Sequence, residues 1–457
     1  MTPLKRLKYI TLVALVAILM TTIASGLYVT STVLFICAYV IYELIGTDHI
    51  HYNVQQDYDY QCLNSHASPL TIEQNILCIP ENHRETHLTN LLEVTCKASI
   101  SGHLFDPFID IQCGQQSVRQ YFERGFQGKR YLNISHLPLN ASETLRFQTK
   151  HCCFTSNSCH VISLKNPDIN GKKILVIAPH ADDAEIAAFG LYSRHNSMVV
   201  TITAGESEPD QCHRAMTKNT EAASLLKGQL RAWDSVAVPL WAGLKSDKVI
   251  NLGYPDNSLE NLHANPATCF PSESKALFRA FNSINLPTDN QPSISWQSLT
   301  HDLTDILNHF QPDIIVTPHP EMDAHKDHQL STKAIQQAST ARQGEKSVYL
   351  YYINHLPFTD RWPFGPHGTM VAPAPGKAKI EGFYSHPVES AIQTQKAYGL
   401  DMMHDLRKPM KIKHQLRYWL QQKLLGRAFH PLSKDPYFRK SVRSNELFIV
   451  EINVSNK

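Results

Sequence analysis

The chain has 457 residues, with 43 Lys and Arg against 41 Asp and Glu and a formal net charge of +2. That length predicts two or three domains, and the balanced charge excludes a protein that holds nucleic acid through overall basicity. No repeat or low-complexity segment is present.

After Lys5, Arg6 and Lys8, the 34 residues from Tyr9 to Tyr42 contain no charge, whereas one membrane span needs about 20. Residues 1–50 are therefore predicted to be a membrane anchor of one or two transmembrane helices, with the basic end in the cytoplasm. The polar stretch Thr21–Gly26 reads either as the turn of a helical hairpin or as an interruption in one long, tilted helix. A single crossing places the rest of the chain outside the cytoplasm, and a hairpin returns it. Seven cysteines lie between Cys62 and Cys159, with Cys212 and Cys269 beyond, and no CxxC spacing occurs. Such density predicts a disulfide framework and an extracytoplasmic body held at the cytoplasmic (inner) membrane.

Residues 51–168 lack helical periodicity but contain the alternating runs Leu92–Ala98, Phe108–Cys113, Arg130–Ile134, Thr144–Thr149 and Val161–Leu164. Separated by Gly, Asn, Pro and Ser, they predict an all-β sandwich. Tyr131–Ser135 has the look of a strand from a carbohydrate-binding module. A spacer carrying the next domain off the membrane is the plainer alternative. Asn166-Pro167-Asp168 marks the boundary to a domain spanning 169–457.

Lys172–Gly190 reads KKILVIAPHADDAEIAAFG. The apolar run Ile174–Ala178 predicts a buried strand whose carboxyl end delivers His180, Asp182, Asp183 and Glu185 before an Ala-rich helix. Ligands of open α/β sheets bind at such ends. Four ionisable groups in one turn repel or titrate unless a cation joins them; a helix cap in a solvated loop is the plainer alternative. Residues 312–328, PDIIVTPHPEMDAHKDH, repeat the pattern: Ile314–Thr317 runs into His319, Asp323, His325, Asp327 and His328. Two strands ending in His and Asp supply the ligand types of a catalytic zinc site.

PHADDAE and HKDH resemble the paired signatures AHPDDE and HPDH of the LmbE/PIG-L zinc-dependent N-acetylglucosamine deacetylases. Ala181 and Lys326 stand where the family has proline, and Ala184 separates Asp183 from Glu185. The resemblance, covering about 170–400, implies an α/β Rossmann-like (LmbE-like) domain with a mostly parallel sheet. It implies His180, Asp183 and His328 as Zn2+ ligands, Asp182 as general base, and a protonated His325 beside the oxyanion. Weaker echoes are Met198–Gly205 with Glu206, KGQLRAWD giving Arg231 and Asp234, and NLGYPD giving Asp256. Of these, Arg231 and Asp256 are the implied sugar contacts.

Residues 404–443 hold eleven Lys and Arg against Asp405 and Asp435, with Tyr418, Trp419 and Leu420 among them. The stretch reads either as a surface for lipid phosphates or an anionic glycan, or as a solvated helix face. Glu446–Ile452 reads as a last strand. The expected activity is hydrolysis of the N-acetyl group of an amino sugar in an envelope glycan or lipid-linked precursor, with partners limited to that glycan or glycolipid and the membrane, and no nucleic acid. A zinc hydrolase of non-sugar N-acyl groups and a non-catalytic glycan-binding protein are the alternatives. The base position Asp182 argues against the last, because a structural metal needs no neighbouring base.

Overall fold

The computed structural model describes residues 13, 16–45, 50–62, 66–140, 144–217, 219–291, 293–340, 347–359, 361–365, 367–380, 382–407, 412–427 and 441–451. The first body is built from β1 (Tyr58–Cys62), β2 (His66–Thr71), β3 (Ile76–Cys78), β4 (Leu88–Ala98), β5 (Phe108–Cys113), β6 (Gln116–Tyr121), β7 (Gln127–Asn133), β8 (Thr144–Lys150), β9 (Cys152–Phe154) and β10 (Ser158–Lys165). Strands β2-β10-β4-β7, with β9 on β4, form one antiparallel sheet, and β3-β8-β5-β6 form another. Alternation places Leu92, Val94, Ile109, Ile111, Leu132, Leu145, Phe147 and Val161 in one buried cluster shared by the two sheets. The five alternating runs read from the sequence fall on these strands, except that Ile134 lies one residue beyond β7.

The second body is a seven-stranded sheet in the order β13-β12-β11-β16-β17-β20-β19. Its strands are β11 (Lys173–Ala178), β12 (Asn196–Thr203), β13 (Val249–Tyr254), β16 (Ile314–Pro318), β17 (Val348–Tyr352), β19 (Gly382–Pro387) and β20 (Asn445–Glu451); β14 (Phe270–Pro271) and β15 (Ser293–Ile294) make a small separate antiparallel pair, and β18 (Gly376–Ile380) pairs with β1. Near-continuous apolar runs such as KILVIA are buried on both faces. One face is covered partly by Trp296–Phe310, whose amphipathic helix starts at a Ser295/Ser298 capping box. Strand order reverses at β11, which pairs with β12 on one side and β16 on the other. Both motifs therefore leave adjacent strand ends at the switch point, where such sheets hold ligands.

Three expectations are corrected. The first is the mostly parallel sheet. β13 to β17 run parallel, but β20 and β19 close the sheet antiparallel. Over the described chain ten strand pairings are antiparallel and five parallel. The physical reason is the two antiparallel sheets of the first body together with two late strands that add to the β17 edge.

The second is the N-terminal transmembrane segment: among the described residues no helix is long and apolar enough to cross a membrane. Residues 1–12, 14 and 15 of that stretch lie outside the described residues. Gly26, at φ +72°, interrupts the uncharged run. The helix that follows, α1 (Tyr28–Ile45), packs on Ile412–Leu425, where buried Glu43 accepts a 2.5 Å bond from Arg417 Nε. The third is the disulfide framework. Among the described residues, Cys37, Cys78, Cys96, Cys152, Cys153, Cys159, Cys212 and Cys269 form no disulfide. Cys96, Cys113, Cys152 and Cys159 belong to the apolar cluster between the two sheets, so they serve as small hydrophobes.

The two bodies share one apolar core. β1 pairs in parallel with β18, and Tyr58, Tyr60, Leu91 and Tyr131 cluster with Tyr349, Phe383 and Ile449. Of the basic tail, residues 408–411 and 428–440 lie outside the described residues, as does Ile452 of the last strand.

Candidate metal and active site

β11 ends at Ala178, and the chain turns through His180 to Asp183, the first residue of α2 (Asp183–Tyr192). The turn is tight enough that Asp182 adopts φ +110°, a conformation that strains a residue with a Cβ. The same turn makes Asp183 reach back, so that its Oδ2 accepts from the His180 backbone N–H at 3.0 Å and lies 3.3 Å from His180 Nδ1. On the neighbouring strand end, His328 occupies the first turn of α5 (Lys326–Thr340) and is fully buried (α3 and α4 being Thr220–Trp241 and Trp296–Phe310). Its Nε2 stands 3.1 Å from Asp183 Oδ2 and its Nδ1 3.1 Å from Asp323 Oδ2.

The donor types fit a metal, and among the described residues the groups whose donor atoms all converge are His180–His325–His328, Asp183–His328–His355 and His180–Asp256–Asp327, not the expected His180–Asp183–His328 as one set. Tetrahedral ligands about 2.0 Å from zinc stand roughly 3.3 Å apart, close to the separations of Asp183 Oδ2 from its two histidine nitrogens. Neither ring nitrogen of buried His328 makes a geometrically sound hydrogen bond despite its carboxylate neighbours, although such a group ordinarily finds partners. His180, His325 and His328 also bring one ring nitrogen each within 4.8 Å of one another.

The surrounding groups set the charges. His180 is buried, which disfavours its charged form, but the hydrogen bonds its ring donates to Asp183, Asp256 and Asp327 outweigh that and raise its pKa. Burial also opposes charge on His328, yet Asp183 and Asp323 push it up to about 9. Asp183 is held well below the carboxylate range, the pull of His328 and His180 overcoming burial. Asp182 goes the other way: burial pushes its carboxyl up to about 7 against the pull of Arg231. Glu185 is not at the metal ligands. It is buried, accepts from Tyr192 OH at 3.1 Å, and is raised by burial to about 8.

His325 differs from the expectation of a protonated residue. Its Nδ1 accepts the Asp327 backbone N–H at 3.2 Å, so any single ring proton sits on Nε2. Burial first, then the neighbouring His328 and His180, lower its pKa. A neutral Nε2–H remains a donor. Its ring centroid lies 4.9 Å from that of His180 and 5.0 Å from that of His328.

The weaker sequence candidates also gather here. Asp256 Oδ1 lies 3.1 Å from His180 Nε2, and its backbone N–H donates to both oxygens of Glu206 at 3.1 Å. Arg231 is buried. Its Nη2 donates to Ala181 O at 2.7 Å and stands 3.6 Å from Asp182 Oδ1, while its Nη1 pairs with Asp405. A Cβ at Gly205 would meet Arg231 at 2.3 Å, so a glycine is required for this approach. Arg231 is thus placed against the Asp182 turn. Asp234 accepts from the backbone and ring of His404 at 2.8 and 2.7 Å and so anchors the 404–407 turn.

Sequence reasoning missed three residues. Asn354 and His355 follow β17: Asn354 Nδ2 donates to Asp183 Oδ1 at 2.7 Å, and His355 brings a ring nitrogen within 4.8 Å of donor atoms of Asp183 and His328. Asp405 comes from the far tail. The available signal for the first two was a third apolar strand, VYLYY, running into a histidine.

Residues 175–339 match the family model described as PIG-L: GlcNAc-PI de-N-acetylase. Among solved structures, N,N'-diacetylchitobiose deacetylase from Pyrococcus horikoshii is 16% identical, with a TM-score of 0.35 over 62% of this chain and 84% of that one. GalB, the 4-carboxy-2-hydroxymuconate hydratase from Pseudomonas putida KT2440, is 14% identical, with a TM-score of 0.34 over 63% and 99%. The zinc-inhibited form of teicoplanin deacetylase Orf2 is 14% identical, with a TM-score of 0.32 over 62% and 100%. Likenesses this distant carry no functional argument. No protein of curated function matches the chain.

Proposed function

We propose that the protein is a metal-dependent amide hydrolase that removes the N-acetyl group from an amino sugar of a glycan or glycolipid. The observation that carries this reading is the gathering of Asp182 with His180, Asp183 and His328 at adjacent strand ends, where Asp183 Oδ2 lies 3.3 Å from His180 Nδ1 and 3.1 Å from His328 Nε2. The match of residues 175–339 to a de-N-acetylase family supports the sugar amide as substrate.

His180, Asp183 and His328 would hold the metal, taken here as Zn2+; when bound it supplies Lewis-acid polarisation of the carbonyl and a water acidic near pH 7. Asp182 takes the proton from the attacking water and returns it to the departing amine, which its raised affinity for protons suits. The Nε2–H of His325 donates to the oxygen on which negative charge grows, a kind of contact typically worth about 3–4 kcal/mol. Arg231, gripping Ala181 O and Asp405, orients the strained turn that carries Asp182. Asp256, fixed by Glu206, is the proposed acceptor for a sugar hydroxyl. Acetate and a free amino sugar leave.

The test is acetate release from N-acetylated sugars and glycans. Activity should vanish on treatment with a chelator, return with zinc, and be lost together with metal in His328→Ala. Acetate release that survives complete metal removal sinks the reading.

A further inference from the structure

We propose that His355 is a further metal ligand, placed beside Asp183 and His328 by the loop after β17; this deepens, and rests on, the metal-dependent reading above. Three observations carry it. His355 offers a ring nitrogen within 4.8 Å of ligand atoms of both Asp183 and His328, and its ring centroid is 5.0 Å from that of His328. The loop is clamped to the site at main-chain level. Asp323 Oδ2 accepts from the backbone N–H groups of Asn354 and His355 at 3.0 and 3.3 Å, and His355 O accepts from Ala324 N at 2.8 Å. Asp323 Oδ2 also lies 3.1 Å from His328 Nδ1, so one carboxylate borders both histidines.

The third observation concerns Asp183. Asn354 Nδ2 donates to its Oδ1 at 2.7 Å and to its backbone oxygen at 3.2 Å. Each oxygen thus accepts a hydrogen bond, and Oδ2, which faces the ring nitrogens of His180 and His328, is the one turned toward a metal. A carboxylate limited to one oxygen leaves a coordination position that a bidentate one would fill, and a neutral imidazole is the commonest protein group to take it. Consecutive residues Asn354 and His355 thus do two linked things: the first restricts Asp183 to one oxygen, and the second supplies the extra nitrogen.

The experiment is competition titration of zinc against a chromophoric chelator, using the full chain stripped of metal. His355→Ala and the bulkier His355→Gln should each weaken zinc binding by about 10-fold or more. His301→Ala, an exposed histidine of α4, should bind as the parent does. Cobalt in place of zinc should show altered visible absorption in both His355 variants, a readout independent of turnover. Where a variant is less stable without metal, the rise in melting temperature on adding zinc is compared with that of the parent. Zinc affinity and cobalt spectra unchanged in both His355 variants, with binding lost in His328→Ala, overturn the assignment of His355 alone. Zinc binding unchanged in His328→Ala as well overturns the metal site itself.

Discussion

Asp182 and Asp183 are adjacent carboxylates with opposite proton affinities, and the difference arises from what each one touches. Asp183 lies between two histidine rings and an Asn354 amide, all of which favour its charged form. Asp182 has burial as its dominant influence, offset only in part by Arg231 at 3.6 Å. A left-handed backbone at Asp182 turns consecutive side chains into these two environments. The strain persists because Arg231 holds the next carbonyl back, at Ala181. Asp182→Asn keeps the shape but removes the proton acceptor. It should retain parental zinc content by metal analysis while losing several orders of magnitude in acetate release. Near-parental turnover would move the base elsewhere.

At the scale of elements, the legible parts are those written as local patterns. The apolar runs of β11 and β16 with their trailing His and Asp, and the alternation of β4, β5, β7, β8 and β10, were readable because each depends on residues a few positions apart. The pairing of β20 with β17 and β19 was not, because strand direction in a sheet is decided by partners 58 or more residues away. The same distance hid Asn354, 171 residues from the Asp183 it holds, and Asp405, 174 from Arg231. The tautomer of His325 has a local cause that motif spacing does not display: one backbone N–H, that of Asp327, occupies its Nδ1. The loop after β17 gives a test at this scale. Asn354→Ala removes the donor that restrains Asp183 Oδ1 and should weaken zinc binding about 10- to 100-fold, the usual cost of losing an outer partner of a metal ligand. Unchanged affinity would make the Asn354 contact incidental.

For the whole molecule, the interface between the two bodies is where acid should act first. His136 of the first body bonds Ser385 Oγ of β19 at 2.8 Å, and Asn133 reaches the same oxygen at 2.8 Å and Met370 O at 3.0 Å. Next along β19, His386 pairs with Tyr384 OH at 2.7 Å, with His195, Glu446 and Lys396 also facing it. Burial lowers His136 to about 3 and His386 to about 4, with His386 adding to the first shift and His195 to the second. The sign follows from linkage. Both folded values lie below the ordinary 6.5, so the unfolded chain binds the extra protons; the stability is complete above pH 6.5 and drains away as pH falls toward 4. Each histidine should remove of order 1–3 kcal/mol over that window, discounted for the partial exposure of His136. Asp106 adds a later loss. Arg361, Arg427 and Arg124 overcome its burial and hold it below the carboxylate range, so its contribution goes only below about pH 4. Urea unfolding of the metal-free chain at pH 7 and pH 4.5 should show a clear drop in midpoint. His136→Gln, which keeps a donor for Ser385 but cannot take up a proton, should make that drop smaller. An equal drop in parent and variant would place the acid-sensitive groups elsewhere, whereas a smaller one locates them where β19 meets the first body.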